Sequence, residues 1–180
     1  MKQITVNNDI KLKSIELSDA EILFKTVDAN REFLRTWLPF IDYVNKVEDE
    51  ENFIKILLTP NDVWGEDVFL IYYRESFSGL ISLKFNRLDR PNKKAEIGYW
   101  LAEAFQGKGI MTECCRRLIE YAFKELDLNR VQIKIASGNM PSIRVAERLN
   151  LKFEGVERDG ELLVNGFTDL NVYSVLKREW

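Results

Sequence analysis

Gln106-Gly107-Lys108-Gly109-Ile110-Met111-Thr112 sets two glycines between a strand-like run and a helix-like one. Such a backbone lets a ligand approach closely, and the free N–H groups and positive end of the next helix favour phosphate. Three readings compete. A Walker A loop needs four residues between its glycines, then Lys and Ser or Thr, which Gly107 and Gly109 do not supply. A dinucleotide fingerprint needs a third glycine where Thr112 stands, and an early parallel strand before it. A plain glycine-softened turn fits the pattern as well. Further on, Asn139-Met140-Pro141-Ser142 places an amide and a hydroxyl at another helix start, where spacing alone favours capping. Glu96 begins the strand that feeds the glycine loop, and Glu103 lies just past its end. Either could serve as a general base or be an ordinary exposed carboxylate.

Composition removes many alternatives. The chain has 180 residues and no histidine, which excludes Ser-His-Asp triads, Cys-His dyads, His-bearing zinc sites and His bases together. Cys114 and Cys115 are neighbours and cannot staple distant segments. Both fall on a buried helical stripe, so core packing is expected of them rather than an acyl-cysteine intermediate. Lys+Arg 26 against Asp+Glu 29 leaves a net charge of −3, too balanced for a broad nucleic-acid or anionic-lipid footprint. Neither an apolar leader after Met1 nor a membrane-length apolar run is found, so a cytoplasmic protein without a membrane partner is expected.

The surrounding elements read as one domain over residues 1–180, of mixed α/β (α+β) class. Strands are expected at Ile4–Val6 and Ile10–Ile15, and a helix after the capping pattern Ser18-Asp19-Ala20-Glu21, with Ile22, Leu23, Thr26 and Val27 inward. Arg31–Leu38 reads as a short amphipathic stretch that stops before Pro39. Glu48–Leu58 is a third helix, acidic in its first turn, with Phe53, Ile54 and Leu57 inward and Pro60-Asn61-Asp62 at its end. Val68–Tyr73, Leu80–Phe85 and Ala95–Leu101 form an antiparallel meander linked by Ser76-Phe77-Ser78-Gly79 and Asp89-Arg90-Pro91-Asn92. The fourfold spacing of Ile110, Cys114, Leu118, Ala122 and Leu126 then gives a helix, and Val131–Ala136 a strand. A helix after Pro141 and strands at Lys152–Glu157 and Phe167–Leu176, the latter after the Asn165-Gly166 turn, complete the chain.

Ile97-Gly98-Tyr99-Trp100-Leu101, the Gln106–Thr112 loop, Asn139-Met140-Pro141-Ser142-Ile143-Arg144-Val145-Ala146-Glu147-Arg148-Leu149 and Phe153-Glu154-Gly155 together closely resemble the GNAT acetyltransferase superfamily. Within it the likeness is to the bacterial ribosomal-protein (Rim-type) N-acetyltransferase branch, and it runs from about Ile10 to Leu176. The resemblance implies a mixed, mostly antiparallel sheet of about seven strands with a β-α-β core that binds acetyl-CoA. Pyrophosphate would lie on the amides of Gln106, Gly107, Lys108, Gly109, Ile110, Met111 and Thr112. Trp100 and Leu101 would border the pantetheine arm, and Asn139 and Ser142 would flank it near the sulfur. Met111 departs from the family pattern, and a side chain there should crowd the turn; the branch often carries larger residues at this position, so the resemblance implies a tolerated variation. No metal is needed, and a branch with dimeric members suggests a homodimer.

The implied chemistry is direct attack of an amine on a thioester, with a proton for the departing thiolate. At pH 7 roughly 10–20% of an α-amine is already neutral, against about 0.04% of a lysine amine, so a weak carboxylate base suffices for an N-terminus. Glu96 is the leading base and Glu103 the runner-up. Many relatives carry a tyrosine acid seven residues after the Asn that matches Asn139; Ala146 stands there. The branch instead places a serine where Ser142 stands, with Tyr173 as a fallback acid. The acceptor is expected between Arg31–Phe40, the Asp89–Ala95 turn and the Glu157–Phe167 segment, with Trp37, Phe40 and Tyr43 on its wall. The resemblance suggests the N-terminus of a ribosomal or other protein, with no direct nucleic-acid contact. A small amine (polyamine, antibiotic or amino acid), a non-catalytic CoA-binding sensor and a nucleotide-binding module stay open.

Overall fold

In the computed structural model, which describes residues 2–60, 64–86 and 90–180, an eight-stranded sheet carries helices on both faces. Its strands are β1 (Gln3–Thr5), β2 (Ile10–Ser14), β3 (Trp64–Tyr73), β4 (Ser76–Asn86), β5 (Lys94–Leu101), β6 (Arg130–Ala136), β7 (Lys152–Leu163) and β8 (Gly166–Leu176), in the order β1-β2-β3-β4-β5-β6-β8-β7. Every neighbouring pair is antiparallel except β5–β6. A parallel pair needs a crossover, and the helix α4 (Ile110–Lys124) provides it. The expected α/β class and mixed sheet are present, with eight strands rather than seven.

Successive residues of β3 point into two separate cores. Phe69 and Ile71 pack with Ile97, Ile133, Leu118 and Ile119 beneath α4 and α5 (Met140–Arg148). Val68 and Leu70 pack with Leu23, Val27, Leu34 and Ile54 beneath α1 (Ala20–Ala29), α2 (Arg31–Arg35) and α3 (Val47–Leu58). Burial on both faces explains why the central strands read as nearly continuous apolar runs.

Several local expectations shift. The cap of α1 is not Ser18, which is exposed in a short 3-10 turn. Asp19 instead accepts the Glu16 N–H at 2.8 Å and pairs with Lys13 at 2.6 Å. Ile22 points outward, while Leu23 and Val27 are buried as expected. A second 3-10 turn, Pro39–Tyr43, follows α2. Ser76–Gly79 lies inside β4, and the hairpin turns at Arg74 and Glu75, non-glycine residues with φ of +48° and +65°. In α3, Ile54 is buried but Phe53 is not; Glu50 is the acidic residue turned inward. Asn61, Asp62 and Asp89, expected in turns, lie outside the described residues.

Candidate active site

Parallel pairing of β5 with β6 covers only Lys94↔Arg130, Ala95↔Val131 and Glu96↔Gln132. Beyond that point β4 continues to pair with β5 as far as Leu101, and β8 with β6 as far as Ala136. The two strands are thus held from outside while their facing edges part. Backbone groups along those edges lack a ladder partner, and an extended amide chain could supply one. A cleft of about 1000 Å³ opens at this fork and runs between α1–α3 and the first turn of α5.

The glycine loop closes one end. Gly107 and Gly109 adopt φ of +72° and +75°, the left-handed region that favours glycine, and a Cβ at either would meet nothing within 4 Å. The glycines therefore serve both the turn and an open approach to the backbone. Gln106 donates to the Leu101 carbonyl at 3.2 Å, tying the loop to the end of β5. Ile110 and Met111 are buried in the core at the head of α4. Met111 therefore does not crowd the turn as expected; its side chain leaves the exposed face of the loop and borders the cleft. Behind the loop, the lining of a recess of about 510 Å³ includes Gly107, Lys108, Gly109, Thr112 and Arg148, with Asp9 and Glu113 also on it, paired to Arg74 and Arg116. Lys108 reaches back to the Ala104 carbonyl at 2.8 Å. The buried Thr112 Oγ1 has no hydrogen-bond partner. A helix N-terminus, two open glycines, two cations and an orphaned hydroxyl fit a diphosphate.

At the fork itself, Glu96 Oε2 accepts from Gln132 Nε2 at 2.9 Å, so the carboxylate is held at the point where strand pairing ends. Ser142 borders the same cleft from α5. Asn139 Oδ1 accepts the Ser142 N–H at 3.3 Å, the capping role expected from spacing, and the Ser142 Oγ makes no hydrogen bond to another described residue. Tyr99 also lines the cleft; its hydroxyl donates a long 3.5 Å bond to the Ser142 carbonyl, and burial raises its pKa, so it stays protonated. Trp100 and Leu101 both lie along the β5 edge of the cleft.

Other expected residues lie elsewhere. Glu103 is exposed outside the cleft, where its N–H donates to Asn30. Tyr173 packs against Phe153 at a ring separation of 5.4 Å and does not line the cleft. Trp37, Phe40 and Tyr43 do form part of its wall. Four carboxylates on the cleft, Asp49, Glu50, Glu66 and Glu161, were not singled out from the sequence, and two of them have raised pKa values. Glu161 reaches the cleft from β7, and burial raises its pKa. Glu50 reaches it from α3, 3% exposed. The signal for Glu50 was present: it shares a helical face with Ile54, but the acidic run from Glu48 to Glu51 read as the first turn that the helix dipole prefers.

The GNAT acetyltransferase domain family matches residues 9–152. The chain belongs to that family. YdaF of Bacillus subtilis strain 168 is 44% identical over 182 residues, covering 97% of this chain and 95% of its own. The solved structure of RimL, a ribosomal L7/L12 α-N-protein acetyltransferase in complex with coenzyme A, is 30% identical. It superposes with a TM-score of 0.88, covering 97% of this chain and 98% of RimL. MccE, a microcin C7 self-immunity acetyltransferase solved with acetyl-CoA and AMP, is 32% identical with a TM-score of 0.86, covering 96% and 95%.

Cys114 and Cys115 are both fully buried, and burial pushes the Cys114 thiol up to about 12. A thiol with that pKa is about one part in ten thousand thiolate near pH 8. The native protein should therefore leave both thiols unmodified by Ellman's reagent under conditions in which guanidinium-unfolded protein titrates fully. Rapid native reaction of either would reopen the covalent route.

Proposed function

We propose that the chain moves the acetyl group of acetyl-CoA to a primary amine, most readily the N-terminal α-amine of a ribosomal or other protein, by direct attack in a ternary complex. The observation that carries this reading is the fork: strand pairing stops at Glu96↔Gln132, with the Ser142 hydroxyl bordering the same opening. The RimL likeness supports a protein N-terminus as acceptor.

Acetyl-CoA supplies an acyl group activated as a thioester. The amides of Gln106 to Thr112 hold its diphosphate, with Lys108 and Arg148 adding positive charge and the Thr112 hydroxyl gaining the partner it lacks. The open edge of Trp100 and Leu101 orients the pantetheine arm by strand addition. Glu96, fixed by Gln132, takes the proton released as the amine nitrogen bonds to the carbonyl carbon. Ser142 Oγ donates to the sulfur as the C–S bond breaks. Glu161, on the same cleft, is the second candidate base.

A small-molecule acceptor is the second reading, favoured by the aromatic wall of Trp37, Phe40 and Tyr43. MccE, solved with AMP as well as acetyl-CoA, brings nucleotide-bearing amines into the test panel. Thiol release from acetyl-CoA, measured with seryl and alanyl peptides, diamines and an aminoacyl nucleotide, separates the two. Release with none of them would leave a CoA-binding sensor.

Two substitutions test the assigned residues. Ser142→Ala should lower kcat by roughly ten- to a thousandfold while acetyl-CoA affinity and Tm change little. A normal kcat would instead remove the Ser142 hydroxyl from the chemistry. Thr112→Val, which removes an unpaired buried hydroxyl at nearly constant volume, should leave the free protein as stable or more so. It should weaken acetyl-CoA binding by about tenfold, the worth of one hydrogen bond to a charged group. Unchanged affinity by calorimetry would remove Thr112 from the phosphate site.

A further inference from the structure

Glu50 has no task in the chemistry proposed above, yet it is the most deeply buried carboxyl on the cleft. It is 3% exposed on the inner face of α3 and makes no hydrogen bond or ion pair to another described residue. Apolar residues line the same cleft: Leu23 and Val27 from α1, Phe33 and Leu34 from α2, and Leu80 and Trp100 from the sheet. An ionised carboxylate there is disfavoured until something with a hydrogen-bond donor or positive charge reaches it. Burial, helped by the negative charge of neighbouring Asp49, raises its pKa to about 7.

The charge around the cleft says which kind of group is missing. Asp49, Glu66, Glu96 and Glu161 face the same space, with Lys84 and Lys134 the only cations opposing them among the described residues, alongside the phenols of Tyr43 and Tyr99. Both lysines are already engaged, Lys84 at 3.9 Å from Glu66 and Lys134 at 2.7 Å from Glu157. Asp49 accepts the backbone N–H groups of Asn45 and Lys46 at the start of α3. Among the described residues that line the cleft, no further cation is present to neutralise Glu50, while Phe33, Trp37, Phe40, Tyr43 and Phe53 supply aromatic walls that also attract cations.

We propose that Glu50 docks a second cationic group of the acceptor, so that the preferred substrate carries a positive charge besides the amine that is acetylated. This rests on the acetyl-transfer reading and narrows its substrate class. The second cation desolvates into an aromatic pocket and is neutralised there by the carboxylate, which orients the reacting amine toward the fork.

The test compares wild type with Glu50→Gln, which keeps size and polarity but removes the charge. Peptides Ala-Lys-Ala-Ala and Ala-Ala-Lys-Ala are set against counterparts with norleucine for lysine. Wild type should prefer one lysine peptide by at least about tenfold in kcat/KM near pH 8, carried mainly by KM. Glu50→Gln should bring that ratio close to one, and Glu50→Asp should restore part of it. In wild type the ratio should shrink as pH falls from about 8 to about 6, because Glu50 takes up its proton while the lysine stays charged; in Glu50→Gln it should be flat. Absence of any preference in wild type, or an unchanged preference in Glu50→Gln, would overturn the proposal. If no peptide is acetylated, the protein-N-terminus reading fails and binding decides on Glu50. Diaminobutane, but not butylamine, should then bind the CoA-loaded protein about tenfold more weakly in Glu50→Gln, and equal affinities would reject the site.

Discussion

The three residue pairs joining β5 to β6 are the constraint on which the cleft depends. Had the parallel ladder continued, Ile97–Leu101 and Ile133–Ala136 would saturate each other and the sheet would close. The outer strands prevent both collapse and fraying. β4 keeps its register with β5 to Leu101, and β8 keeps its register with β6 to Ala136. A rigid sheet therefore carries an internal edge, normally a liability for a β-structure, and the adjoining cleft is shielded by α1–α3 and α5. That edge leaves backbone donors and acceptors open to an extended amide chain, such as the proposed pantetheine arm.

Helix starts then set the polarity of the opening. α4 begins at the open glycine turn with an unpaired buried hydroxyl, which suits an anion. α5 begins with Asn139 capping the Ser142 N–H, leaving the serine hydroxyl unpaired beside the fork. Capping and chemistry are compatible here because they use different atoms: the cap engages the Ser142 amide, and the proposed acid is its side chain. The opposite end of the cleft is acidic and aromatic, suited to an amine substrate rather than to a phosphate. The loop side and the far wall of the cleft thus offer groups suited to an anion and to a cation respectively.

Legibility from sequence followed how local each feature is. The loop, the helix after it and the β5–α4–β6 order were readable because Gly107, Gly109 and the fourfold apolar spacing act within one turn. The hairpin at Arg74-Glu75 was misplaced because left-handed backbone there is carried by residues that ordinarily avoid it, whereas Ser76–Gly79 had the more turn-like composition. Met111 was expected to crowd the loop because its direction depends on packing under α4, a tertiary fact. Glu103 and Glu161 exchanged prominence for the same reason: proximity in sequence favoured Glu103, while the β7–β8 hairpin brings Glu161 back to the cleft. Glu50 was hidden in a run of acidic residues, and only the packing of α3 against α1 singles it out.

The central claim is that the unpaired edge of β5 and the glycine loop together receive the cosubstrate. Hydrogen–deuterium exchange of the protein with and without saturating coenzyme A tests it directly. Slower exchange should be confined chiefly to Ile97–Leu101 and to Gln106–Thr112, with the outer strands β1 and β7 unaffected. Saturable binding with no protection in either segment, or with protection only elsewhere, would contradict the claim.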